Sequence, residues 1–133
     1  MFPKIEIESL PVTDSFVRRK RVIQPRGELA LIEDGGNFRH LGYFSLKSGP
    51  GLFRGGHYHR KKTEHFYVVG GELLLRLVDV DTGEKAVLRA EPGQVIRLHP
   101  GCAHRFEAVR DAQVIEYYDG VYDREDDVAW QDF

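Results

Sequence analysis

This sequence predicts an all-β fold, a sandwich or a barrel, on three observations. Its dominant hydrophobic period is two residues, the period of a half-buried strand. Its short apolar segments recur about every 8–12 residues, with turn chemistry between them. No long stretch carries a helical period, so nothing competes with strands for the core.

In chain order, residues 1–25 are expected to form an N-terminal arm or edge strand. The locally basic run 18–26, RRKRVIQPR, reads as a solvated face or as an edge protected by charge. Strands are expected at 28–33 (ELALIE) and 41–47 (LGYFSLK), closed by Asp34-Gly35-Gly36 and Ser48-Gly49-Pro50-Gly51. Residues 64–80, EHFYVVGGELLLRLVDV, are interrupted only by Gly70-Gly71. They read as two strands joined by a tight turn, because glycine supplies the positive φ of hairpin turns. Further strands are expected at 85–91 (KAVLRAE), 94–99 (QVIRLH), 103–109 (AHRFEAV) and 112–118 (AQVIEYY). Asp81-Thr82-Gly83, Pro92-Gly93 and Pro100-Gly101 punctuate them. The last segment, 119–133, is acidic, with Asp119, Asp123, Glu125, Asp126, Asp127 and Asp132 against Arg124. It reads as a solvated tail that covers a sheet edge, anchored by Trp130 and Phe133, or stays disordered.

Composition bounds the function. A chain of 133 residues is expected to form one domain, 1–133. With 41% hydrophobic and 30% charged residues it is globular rather than disordered. A net charge of −2 argues against a nucleic-acid partner. The single cysteine, Cys102, excludes an intramolecular disulfide and fits a reducing compartment; its thiol reads as inert. No charged n-region precedes an apolar stretch and no apolar run is long enough for a bilayer, so a cytoplasmic protein without a membrane partner is expected.

One constellation carries chemistry. His57 and His59 stand two apart in RGGHYHRKKTEHF, and on a strand i and i+2 share a face. Glu64 starts the next strand and folds back beside them, while His104 follows a Pro-Gly turn and enters from an adjacent strand. Imidazole and carboxylate together make a mixed N/O set suited to one divalent transition metal, Zn, Ni, Mn, Fe or Cu. Arg54 and Arg26 each precede a glycine, and guanidinium groups suit bidentate phosphate contacts, so both are candidate substrate-binding residues. His40 sits just before a strand and reads as loop, and His65 alternates with Glu64 and should point outward.

Residues 55–71, GGHYHRKKTEHFYVVGG, resemble the first cupin motif, and 93–104, GQVIRLHPGCAH, resemble the second, with His99 where proline is common. The resemblance implies a double-stranded β-helix, the jelly-roll cupin barrel, with His57, His59, Glu64 and His104 lining its interior. PRGELALIEDG (25–35), Tyr43 and RGGHYHRKKTEHF are similar to the sugar-nucleotide cupins. Those include the dTDP-sugar 3,4-ketoisomerases and the cupin domains of capsular-polysaccharide enzymes. The resemblance implies a nucleotide-sugar isomerase or epimerase of polysaccharide biosynthesis, acting on a small-molecule substrate.

Such chemistry takes a proton from the carbon beside a carbonyl and stabilises the enolate oxygen. If a metal holds the imidazoles, the base is another residue. His99, Tyr43 and Tyr117 are the leading candidates, with His65 and Glu116 behind them. If no metal binds, His57 and His59 are free to move protons. The alternatives are a metal-dependent (Fe) dioxygenase, favoured by a small apolar pocket without cations, and a non-enzymatic small-molecule-binding cupin. Exposed edges of a small jelly roll are often covered by another copy, so a homodimer is expected, paired through residues 1–25.

Overall fold

The computed structural model describes residues 2–133. They form an almost wholly β fold with one short 3-10 turn at Arg124–Asp126. The strands are β1 (Ile5–Ser9), β2 (Lys20–Gln24), β3 (Gly27–Leu31), β4 (His40–Leu46), β5 (Arg54–Tyr58), β6 (Glu64–Asp79), β7 (Lys85–Ala90), β8 (Gln94–Leu98), β9 (Cys102–Tyr118) and β10 (Val128–Ala129). Among them β6 and β9, of 16 and 17 residues, pair antiparallel along most of their length and form the spine.

Each spine strand changes partner halfway. The first part of β6 pairs with β8 and the last part with β7. The first part of β9 pairs with β5 and the last part with β4. One apolar core therefore draws on both halves: Phe66, Val68, Leu73, Leu75 and Leu77 of β6 meet Phe106, Ala112 and Val114 of β9, Ile96 of β8 and Leu46 of β4. These side chains alternate along their strands because period two sends every second residue inward.

The structure corrects two expectations. Gly70-Gly71 is not a hairpin turn, because β6 runs straight through it with shifts of register against β9. The positive φ of Gly71 (78°) serves a bulge, and a Cβ there would lie 2.2 Å from the carbonyl oxygen of Asp111. The same bulge makes the expected strands 103–109 and 112–118 one strand, β9. Within the N-terminal arm, β1 pairs with β8 of its own chain and β2 forms a hairpin with β3. The basic run is largely neutralised in place, since Arg18, Arg19 and Arg21 pair with Asp34, Glu8 and Glu28.

The acidic tail is also built in. β10 pairs with β5, the Trp130 N–H donates to the Gly56 carbonyl at 2.9 Å, and Phe133 lies under Arg105.

Candidate active site

A cavity of about 240 Å³ opens between β4, β5 and the two spine strands. That is near the lower end of ligand pockets, suited to a sugar ring rather than a whole nucleotide. Its wall includes His57, His59, Glu64 and His104. One ligand atom from each of these four lies within 4.8 Å of the others.

Local backbone explains the convergence. A Cβ at Gly55 would stand 2.6 Å from the His104 carbonyl oxygen, so only glycine lets β5 approach β9 there. Past the resulting irregularity His57 faces His104 directly, and their ring centroids are 4.7 Å apart. His59 lies one residue beyond the strand, yet its ring stays 4.8 Å from that of His57. Glu64 opens β6 and is buried.

The outer nitrogen of each ring is occupied. His59 Nδ1–H donates to the Asp126 carbonyl at 2.8 Å, and His104 Nδ1–H donates to the Cys102 carbonyl at 3.0 Å. His57 Nδ1 lies 2.9 Å from Asp127 Oδ1. In a neutral ring this leaves Nε2 with the lone pair, the arrangement of a metal-ligating histidine. His59 Nε2 then faces Glu64 Oε1 at 2.9 Å, and His104 Nε2 faces the same oxygen at 3.5 Å. Neither His59 Nε2 nor Glu64 Oε1 has a well-aligned hydrogen bond, though both are buried. Two lone pairs aimed at each other repel unless a proton or a cation lies between them. The donor set therefore fits a divalent transition metal as it fits a proton.

Electrostatics agree. Burial opposes charge on Glu64, but His59, His104 and Lys62 outweigh it and hold the carboxyl at about 2. Burial pushes His104 down to about 4. Burial also lowers His57, only partly offset by Asp127. For His59 burial is outweighed by Glu64, and its pKa rises.

Other expected site residues divide. Arg54 lines the cavity, with Nε–H donating to the Ser45 carbonyl at 3.0 Å. Arg26 does not; it bonds Gln24 in the β2–β3 hairpin and borders a separate surface depression. His99 also lies outside, on the surface against Glu6 at 2.6 Å. Tyr43 is exposed, because alternation on β4 turns His40 and Phe44 to the cavity and Tyr43 away. Tyr117 is buried on the far face against Phe38 and His65, where burial raises its pKa; the cavity is lined by its neighbours Glu116 and Tyr118. His65 points away with it.

Several residues in and behind the wall escaped sequence reasoning. Lys62 sits 3.9 Å from Glu64 Oε2 and 4.1 Å from the Tyr118 ring centroid. His40, read as loop, begins β4 and lines the cavity. Asp126 accepts the backbone N–H groups of Arg60, Lys61 and Lys62 at 2.7, 3.0 and 3.3 Å. The only available signal was the acidity of the tail, which fits a solvated surface equally well. Cys102 is buried, and burial pushes its thiol up to about 12.

Comparison with known proteins adds a family and a fold. Residues 25–128 match the family described as the polysaccharide biosynthesis C-terminal domain. The chain is 32% identical over 108 residues to a UDP-2-acetamido-2,6-beta-L-arabino-hexul-4-ose reductase of Pseudomonas aeruginosa. That match covers 76% of this chain and 28% of the reductase, so the chain spans less than a third of that relative. A mutant of the 3,4-ketoisomerase QdtA from Thermoanaerobacterium thermosaccharolyticum, in complex with TDP-4-keto-6-deoxyglucose, superposes with a TM-score of 0.75. It is 16% identical, and the match covers 96% of this chain and 88% of that one. A dTDP-4-dehydrorhamnose 3,5-epimerase from Sulfolobus tokodaii gives a TM-score of 0.71 at 19% identity, covering 95% and 81%. At such identities the likeness is one of fold, the cupin-type jelly roll. No helix among the described residues is long and apolar enough to cross a membrane.

Proposed function

Because this chain belongs to the polysaccharide biosynthesis C-terminal domain family, we propose that it is a nucleotide-sugar isomerase or epimerase. It takes a proton from the carbon beside a keto group of the sugar. The observation that carries this reading is the cluster of His57, His59, Glu64 and His104 in the wall of a sugar-sized cavity. The relative is named for a UDP-linked 4-ketose, and the structural neighbours for dTDP-linked keto sugars. Hydride transfer, which that relative's name implies, commonly uses a βαβ dinucleotide site. The described residues contain no α-helix, so the reading takes from that relative the sugar nucleotide and not the reduction.

His57, His59, Glu64 and His104 would hold one divalent transition metal. When bound, such an ion supplies Lewis-acid polarisation of the keto oxygen. Arg54 has its Nε–H committed to Ser45, and its two terminal amino groups are free among the described residues to meet a diphosphate at the cavity mouth. Cationic Arg54 and Lys62 in the wall weigh against the dioxygenase reading, and the titratable lining weighs against a passive binder. A homodimer belongs to the same reading. Leu29 and Leu31 leave apolar side chains exposed on one face of the β2–β3 hairpin, the face they share with Val22, and a second copy would cover it. A light-scattering mass of one chain at micromolar concentration overturns it.

The test is incubation in D₂O with UDP-2-acetamido-2,6-beta-L-arabino-hexul-4-ose and with TDP-4-keto-6-deoxyglucose, followed by proton NMR. Deuterium is expected on a carbon adjacent to the carbonyl of one of them. No exchange in either overturns the reading. Plasma mass spectrometry of untagged protein, purified without chelators, tests the metal. His59→Ala with His104→Ala should abolish its retention while the β signal in circular dichroism persists, and unchanged metal content overturns the ligand assignment.

A further inference from the structure

His59 and His104 have Nδ1 held by backbone carbonyls and Nε2 turned to the buried Glu64 carboxylate, which makes them poor proton carriers. The cavity holds another histidine. His40 Nε2 stands 2.9 Å from Glu116 Oε2, and both side chains line the same cavity. They are 28% and 29% exposed, half-buried and within reach of a ligand.

We propose that His40 is the proton-transferring residue of this site and that Glu116 positions it. The proposal rests on the reading above and names the base that reading requires.

The pair is built by the strand register. His40 is opposite Tyr118 and Gly42 is opposite Glu116, so the contact runs diagonally across Gly42. A Cβ on Gly42 would lie 3.0 and 3.2 Å from Glu116 Cγ and Cδ and 3.3 Å from His40 Nε2. The missing side chain is what makes room for the contact. The His40 ring also lies flat on Tyr118, with centroids 4.2 Å apart and planes at 11°, which fixes its plane. The carboxylate of Glu116 accepts the Nε2–H and so selects the tautomer whose Nδ1 carries a lone pair. Among the described residues that Nδ1 has no hydrogen-bond partner. A base whose far nitrogen is oriented by a third group is the arrangement that general-base catalysis uses. His99 and Glu6 make a similar contact at 2.6 Å on the exposed surface, away from any cavity wall, and provide an internal control.

The step balances without a redox partner. The C–H bond beside the keto group breaks and its proton moves to Nδ1 of His40. The electron pair becomes the enolate double bond, with negative charge on the former keto oxygen. Return of a proton from Nδ1 regenerates a carbonyl and the neutral ring. In D₂O the imidazolium exchanges its proton before returning it, so deuterium appears on carbon.

The experiment is that same deuterium exchange, with the same two sugar nucleotides, run on variants of the full chain. His40→Asn is expected to lower the exchange rate by about 100-fold or more, with melting temperature and metal content unchanged. Glu116→Gln is expected to lower it about tenfold with KM unchanged. Gly42→Ala leaves both side chains in place but crowds their contact, and should also slow exchange. His99→Asn should leave the rate unaltered. Added imidazole should restore exchange to His40→Ala, a rescue that a structural role would not give. If the wild type exchanges and His40→Asn does so within threefold of it, the assignment of His40 is overturned while the isomerase reading stands. If the wild type exchanges neither sugar, both are overturned. Should His40→Asn fail to fold, Glu116→Gln and Gly42→Ala decide, and wild-type rates in both overturn the proposal.

Discussion

Asp126→Ala is the substitution whose cost the structure defines best. Asp126 is 4% exposed, and its carboxylate accepts the N–H groups of Arg60, Lys61 and Lys62 at 2.7, 3.0 and 3.3 Å. Alanine strands three partly buried backbone donors at once. Each unsatisfied donor costs about 1 kcal/mol when water regains part of it, so the loss is about 3 kcal/mol. Unfolding entropy near 2.1 cal/mol/K per residue makes about 280 cal/mol/K for a chain of this size, so the melting temperature should fall by roughly 11 °C. Asp126→Asn keeps Oδ1, the acceptor for Arg60 and Lys61, and sets an amide N–H₂ against the weakest donor, Lys62. It should cost about 1 kcal/mol, roughly 4 °C. Thermal unfolding of the metal-free protein by circular dichroism reads both. An alanine variant that melts within about 2 °C of the wild type, or an asparagine variant as unstable as alanine, refutes the reasoning.

Three further outcomes are expected. Glu64 has a folded pKa of about 2, below its ordinary 4.5, so its contribution to stability is full above that ordinary value and is lost as pH falls from there toward 2. The metal-free wild type should therefore destabilise through that window, and Glu64→Gln should flatten this limb in urea titrations. Gly71→Ala places a methyl 2.2 Å from the Asp111 carbonyl oxygen at φ 78° and should cost several times what Gly83→Ala costs, whose Cβ meets nothing within 4 Å; equal denaturation midpoints would contradict the bulge. Cys102, held up to about 12 by burial, should react with a thiol reagent no faster than the chain unfolds.

How far the fold was legible depends on the range of the physics involved. Alternation is local, so the positions of β3, β4, β7 and β8 could be read to within a residue or two. Whether a glycine pair turns a chain back or lets it pass is not local. Gly71 has the positive φ that either outcome needs, and the backbone of Asp111, forty residues away, decides for a bulge. The same reason hid the length of β9. β2 escaped because the basic run that contains it looked solvated, and the partners of Arg18, Arg19 and Arg21 (Asp34, Glu8 and Glu28) lie on other segments.

At the site, His57, His59 and Glu64 were legible because eight residues contain them all and strand geometry fixes their face. Tyr117 and Glu116 were both candidates, yet neighbours on one strand point to opposite sides, and Tyr118 follows Glu116 into the cavity. That the tail covers a sheet edge was legible, but its part in the site was not, for a deeper reason. A run of carboxylates states its charge but not what each one meets. Asp126 and Asp127 are adjacent, yet one carboxylate binds the backbone of the 60–62 turn while the other reaches the His57 ring. The carbonyl of Asp126 also holds the His59 ring. The tail therefore sets the orientation of both paired histidines, and the cluster's geometry depends on residues nearly seventy positions downstream of it. Replacing Asp127, whose carboxylate meets the His57 ring, should thus disturb that imidazole before it changes anything at the surface.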